Sequence, residues 1–147
     1  MRRPLPQGLR DRMPADRAPL IVFDGECVLC SGSARFVLRH DRAGRFRLTA
    51  AQGDLGQAIY RGLGLSADDL GTMLLVEGGE VAMESDAVLA IGSGLGSPWS
   101  WLAATGRIVP AAIRDSAYRL IARNRYRWFG RRETCWMPRP GEAGRIL

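Results

Sequence analysis

The sequence predicts one α/β domain whose elements run β-α-β-α-β-β-α, with additional helices at the C-terminal end. Three observations carry this. The apolar run Leu20 to Asp24 hands over at Gly25 to an amphipathic stretch, Gly78-Gly79 separates two short apolar runs, and helical periodicity extends from Pro110 to about Phe129.

Each element has a local reason. Leu20-Ile21-Val22-Phe23 is continuous and partly β-branched, as in a buried strand. Leu29, Ser33, Phe36, Val37 and His40 then fall on one helical face, with Arg35 and Arg39 pointing away. Gly44 closes the turn, and Phe46 and Leu48 alternate with Arg45, Arg47 and Thr49 in a second strand. A helix is predicted from about Asp54 to Gly62. Thr72 to Val76 and Val81 to Met83 form a hairpin across Gly78-Gly79, where both positions tolerate positive φ. Ser85 is placed as the N-cap of the next helix, with Asp86 in its first turn. Pro110 opens a long helix whose Ile113, Ala117, Leu120, Ile121, Asn124 and Trp128 share one face. Two strands joined through a helix, followed by a hairpin and a packing helix, make the core of a thioredoxin or glutaredoxin domain.

Length and charge narrow the class. The chain has 147 residues, enough for one domain with a substantial core. Its net charge of +6 comes entirely from arginine on the basic side, which biased genome composition explains more simply than selection for anion binding. Five Arg and two Asp give residues 1–19 a net +3, six Arg and ten acids give residues 20–106 a net −4, and ten Arg and three acids give residues 107–147 a net +7. Residues 1–19, rich in Arg and Pro and without periodicity, read as a flexible tail ahead of a domain spanning 20–147. The arginines at 119, 123, 125, 127, 131 and 132 read as the solvated side of the last helix rather than a nucleic-acid surface.

Three cysteines are too few for a secreted disulfide scaffold, and the N-terminal arginines are followed by prolines and charges rather than a signal-peptide core. The longest uncharged run, Ala87 to Gly106, has the length of a membrane span, but four glycines, Pro98, three serines and a threonine make its hydropathy weak. It reads as two short buried helices. No membrane span is expected, and the expected compartment is the reducing cytoplasm.

The chemistry lies in Asp24-Gly25-Glu26-Cys27-Val28-Leu29-Cys30. A thiolate, not a thiol, attacks a disulfide, and a helix N-terminus offers unpaired N–H groups that lower a thiol pKa. Spacing of i, i+3 brings the second sulfur near enough to resolve a mixed disulfide. Cys27 is expected to be the exposed nucleophile, with a pKa of about 7 to 7.5 from the helix end alone, and Cys30 the more buried resolving thiol. Asp24 has two readings, proton acceptor for Cys30 or anchor of the loop through an Asx turn. Ser85 and Asp86 also have two, an anion-binding helix terminus for a substrate carboxylate or an ordinary cap. His40, the only histidine, reads as a packed residue. The competing function is a zinc-stabilised or nucleic-acid-binding module without turnover; for zinc only Cys135 and His40 remain as further ligands.

The DGECVLC motif, the serine-rich start of the following helix, the SDAV segment and the terminal RDSAYRLIARNRYRWFGRRETCWMP resemble the DCC family of predicted thiol–disulfide oxidoreductases. The resemblance runs from about Leu20 to the C-terminus. It implies a thioredoxin-like fold and protein-disulfide reductase-type activity, with the family's signature falling on Asp24, Cys27 and Cys30; exchange through the two cysteines is expected to need no bound cofactor, and the expected partner is a disulfide-containing protein or a glutathione-type small disulfide. The electron donor is left unnamed by it. Cys135 falls where the family also has a cysteine and is expected to be dispensable for exchange. Unlike thioredoxins, which place a cis-proline before the strand facing the cysteine pair, this chain has Gly71-Thr72-Met73 there.

Overall fold

The computed structural model describes residues 2–14, 17–65, 73–130 and 145–146. Five strands, β1 (Arg2–Pro4), β2 (Leu20–Phe23), β3 (Arg47–Ala50), β4 (Leu74–Glu77) and β5 (Glu80–Met83), form one sheet in the order β1-β5-β4-β2-β3. Six helices accompany them: α1 (Gln7–Arg10), α2 (Val28–His40), α3 (Asp54–Gly62), α4 (Glu84–Gly94), α5 (Trp99–Gly106) and α6 (Ala111–Phe129). β2 runs parallel to β3 through the α2 crossover and antiparallel to β4, and β4 turns back into β5 through Gly78 and Gly79 at φ +60° and +81°. The thioredoxin-like architecture follows directly from that order.

β2 is buried along its whole length because helices cover both faces of the sheet. Leu20 and Val22 join Ile59, Tyr60, Leu74, Val76 and Val81 beneath α1 and α3. Ile21 and Phe23 join Val37, Leu48, Leu75 and Ile91 beneath α2 and α4. Gly56 lets α3 pass so close to the end of β3 that a Cβ would lie 2.4 Å from the Ala50 carbonyl oxygen. Asp41 holds the α2–β3 loop by accepting the N–H groups of Arg45 (3.1 Å) and Phe46 (2.8 Å), and the Arg145 guanidinium pairs with the same carboxylate.

Several expectations are corrected. The N-terminal stretch is no flexible tail over residues 2–10: β1 pairs antiparallel with β5, the Leu5 N–H bonds the Gly79 carbonyl at 2.9 Å, and Leu5 and Leu9 are buried. Its order comes from the open edge of β5 and from two leucines four residues apart, a signal too short to register as periodicity. The two apolar helix faces read from sequence do not mainly face the core either. α2 buries Ser31, Ala34, Val37 and Leu38, while Ile113, Leu120, Ile121 and Trp128 of α6 are exposed. Nor is α5 a buried helix, since it buries only Ala103. Among the described residues no helix is long and apolar enough to cross a membrane.

Candidate active site

β2 ends at Phe23, and the next four residues turn the chain into α2. Asp24 makes that turn: its Oδ1 accepts the Glu26 N–H at 3.0 Å, an Asx turn, while the Cys27 N–H bonds the Asp24 carbonyl at 3.3 Å. Gln52, from the loop after β3, donates its Nε2 to the same Oδ1 and accepts the Gly25 N–H at 3.0 Å.

Cys27 is the N-cap of α2. Its backbone is extended (φ −79°, ψ 125°), and its Sγ accepts the Cys30 N–H at 3.3 Å. Its carbonyl accepts the Ser31 N–H (2.9 Å) and hydroxyl (2.8 Å), and that hydroxyl also reaches the Gly25 carbonyl. Both sulfurs are free thiols. The hydrogen bond from the Cys30 side chain lowers the Cys27 pKa most. Burial and the Asp24 carboxylate oppose it, backbone N–H groups assist, and the thiol settles at about 6. Cys30 is pushed far upward, first by its bond to Cys27 and then by burial. The two thiols are therefore shifted in opposite directions, Cys27 downward and Cys30 upward.

The expected exposures are reversed. Cys27 has 0% of its surface exposed, whereas Cys30 is half-buried and lies on the wall of a cavity of about 900 Å³. The Val28 N–H bonds the Gly130 carbonyl at 3.3 Å, which brings the end of α6 against the first turn of α2.

The other half of the site comes from α6. Arg125 is buried and faces Asp24 across 3.4 Å, and the Tyr126 hydroxyl donates to the same Oδ2. Burial, then that bond, pushes the Tyr126 phenol up to about 12. Asp24 thus meets Glu26, Gln52, Arg125 and Tyr126, and its side chain ties the loop to α6. The reading of Arg125 as solvated is corrected. Arg125, Tyr126, Gln52 and Tyr118, whose hydroxyl accepts the Met73 N–H at 2.8 Å, were not legible as site residues. A faint signal existed for α6, since Tyr118, Ala122 and Arg125 recur at i, i+4 and i+7, but nothing ranked that face above the more apolar one.

Ser85 and Asp86 do not join this group as an anion site. Ser85 lies within α4, after Met83 and Glu84, and is not its cap residue. Its N–H bonds Asp115 Oδ1 at 3.3 Å, and its hydroxyl donates to the same oxygen. Asp86 pairs with Arg114 at 3.3 Å. The helix terminus expected to receive a carboxylate already holds one from α6. His40 is part-buried, its Nδ1 2.9 Å from the Phe36 carbonyl and its ring against Phe36 and Trp99. Among the described residues no three of His, Cys, Asp and Glu gather where they could hold a metal ion. Gly71, Thr72 and Cys135 lie outside the described residues.

A strand-to-helix turn with a cysteine as the helix cap and its partner one turn in defines a thioredoxin-like protein carrying a C-x-x-C pair. Sequence comparison narrows this: the profile of the DCC1-like thiol-disulfide oxidoreductases matches residues 21–131, and the chain belongs to that family. It is 34% identical over 137 residues to the uncharacterized protein YuxK of Bacillus subtilis, covering 92% of this chain and 99% of that one. It is 37% identical over 120 residues to the DCC family protein At1g52590, chloroplastic, of Arabidopsis thaliana, covering 82% and 70%. No solved structure matches.

Proposed function

We propose that the protein is a dithiol–disulfide oxidoreductase of the protein-disulfide reductase type, with Cys27 as attacking thiolate and Cys30 as resolving thiol. The observation that carries this is the Cys27 sulfur held at the α2 terminus with its pKa near 6. The Cys27 thiolate attacks one sulfur of a substrate disulfide, forming a mixed disulfide and expelling the other sulfur as a thiolate that takes up a proton. Cys30 then gives up its proton to solvent and attacks Cys27 Sγ. This expels the second substrate thiol and leaves a Cys27–Cys30 disulfide. Two electrons pass from the pair to the substrate, and the sulfurs carry them without a bound cofactor.

The substrate class is a disulfide-containing protein or a glutathione-type small disulfide, and the setting is a reducing cytoplasm, in keeping with only three cysteines in the chain. Asp24 is a positioning residue, because its carboxylate is already engaged by four donor residues. Cys27 has no exposed surface, so attack goes with opening of the chain around it.

The test is a Cys30→Ser variant incubated with insulin and with glutathione disulfide. A mixed disulfide should accumulate at Cys27, while the unsubstituted protein turns over and ends with Cys27 joined to Cys30. A mixed disulfide at Cys30 in Cys27→Ser with none at Cys27 in Cys30→Ser would reverse the roles. Stoichiometric zinc on unreactive thiols would replace the proposal with the metal-stabilised reading.

A further inference from the structure

The described residues distribute their exposed apolar side chains on one side of the molecule. Every large hydrophobic side chain left exposed belongs to α2, α4, α5, α6 or the α5–α6 loop; none belongs to α1, α3 or a strand. The most exposed are Ile108 (82%), Trp101 (72%), Ile113 (60%) and Leu102 (59%). Leu102 lines the 900 Å³ groove together with Phe36, Val88, Ile121 and Phe129, from four helices. Of the apolar faces legible in α2 and α6, Leu29, Ser33, Phe36 and Ile121 line this groove, while Val37 both lines it and reaches the core. An apolar groove whose walling helices also carry exposed apolar side chains marks an interaction site.

Charge selects the occupant. α2 carries Arg35 and Arg39 and no acid. α5 carries no charge at all. On α6 the one acid, Asp115, is engaged by Ser85, while Arg123 and Arg127 have no ion-pair partner among the described residues. On α4, Glu84 and Asp86 are paired with Arg119 and Arg114. The face thus combines arginines without an ion-pair partner among the described residues with aromatic and aliphatic side chains, and its acids are paired among those same residues. A second copy of the chain would set like charges against each other, and a nucleic acid would leave Ile108, Ile113 and Leu120 without apolar contact.

We propose that this face docks on an anionic membrane surface, with α6 lying in the interfacial plane and the groove beside Cys30 turned toward the lipid. Amphipathic helices bearing Arg beside Trp, Phe and Leu bind this way, through apolar burial added to attraction by anionic headgroups. The proposal does not rest on redox turnover by Cys27 and Cys30.

The experiment is co-sedimentation of the full chain with vesicles of phosphatidylcholine alone or with one quarter phosphatidylglycerol, alongside the tryptophan emission spectrum. Binding is expected on the anionic vesicles only, with a blue shift and marked weakening in about 1 M NaCl, where the Debye length is about 3 Å. Leu120→Ser with Trp128→Ser, both exposed in the fold, should lower partitioning at least about tenfold, since each such side chain gains roughly a factor of ten when buried. Arg123→Ser with Arg127→Ser should weaken binding, and Arg12→Ser with Arg61→Ser, on the α1/α3 side, should not. Absence of binding to anionic vesicles, or equal loss from both arginine pairs, would overturn the proposal. A dimer that becomes a monomer on Leu120→Ser with Trp128→Ser would overturn it in favour of a second copy.

Discussion

Replacing Cys30 by alanine isolates what acidifies Cys27. The fall from the ordinary thiol value of 9.0 to about 6 is three powers of ten, or about 4 kcal/mol at about 1.4 kcal/mol each. A helix terminus supplies at most about 2 kcal/mol to a partly buried charge. Burial and Asp24 act against the thiolate, so at least about 2 kcal/mol falls to the Cys30 S–H group. Cys30→Ala keeps the backbone N–H that caps Cys27 and removes the side-chain donor. Cys27 should then titrate at or above about 7.5. Cys30→Ser, whose hydroxyl still donates, should fall between that and the unsubstituted protein. The assay is thiolate absorbance or iodoacetamide alkylation against pH, with the labelled peptide identified. A Cys27 midpoint still near 6 in Cys30→Ala would refute the assignment to Cys30, and a midpoint near 9 in the unsubstituted protein would refute the thiolate altogether. A stability consequence follows from the same asymmetry. Because Cys27 is more acidic folded than unfolded, the reduced protein should gain stability as pH rises from about 6 to 9 and lose it as pH falls through 6. Cys30, displaced upward, opposes this only above the ordinary thiol value. Cys27→Ser should flatten that slope in urea titrations.

Three other outcomes are expected. Asp24→Asn should destabilise the fold by about 3–5 kcal/mol, because it leaves Arg125 buried without its counter-charge; urea denaturation measures it, and a change below about 1 kcal/mol would show that the pair is immaterial. Leu9→Ala should cost about 2–4 kcal/mol, since its side chain fills the space above Gly62 and cannot be replaced by solvent; an unchanged melting temperature would return residues 2–10 to the status of a dispensable tail. Ser85→Ala should change the KM for glutathione disulfide and for a neutral model disulfide alike, because its hydroxyl is spent on Asp115. A selective rise for glutathione disulfide would restore the anion site.

What the sequence determined by itself was whatever a few neighbouring residues decide. The strand LIVF, the helix over Asp54–Gly62, the Gly78-Gly79 hairpin and the C-x-x-C pair at a helix start are all local matters of period, turn chemistry and spacing, and each was readable in place. The tertiary structure decided which faces are covered and which charges are paired. Arg125 looks like any other arginine of a basic helix until α6 lies against the end of β2, 101 residues away, where a buried carboxylate makes its desolvation tolerable. Leu5 and Leu9 look like isolated leucines until the edge of β5 pairs with β1 just before them and holds that stretch against the core. Ser85 reads as a cap until Asp115 occupies the helix end. The apolar faces of α2 and α6 were legible as faces, but period cannot tell a helix that covers the core from one that walls a groove. Periodicity reports that a surface is apolar; only packing decides what it meets.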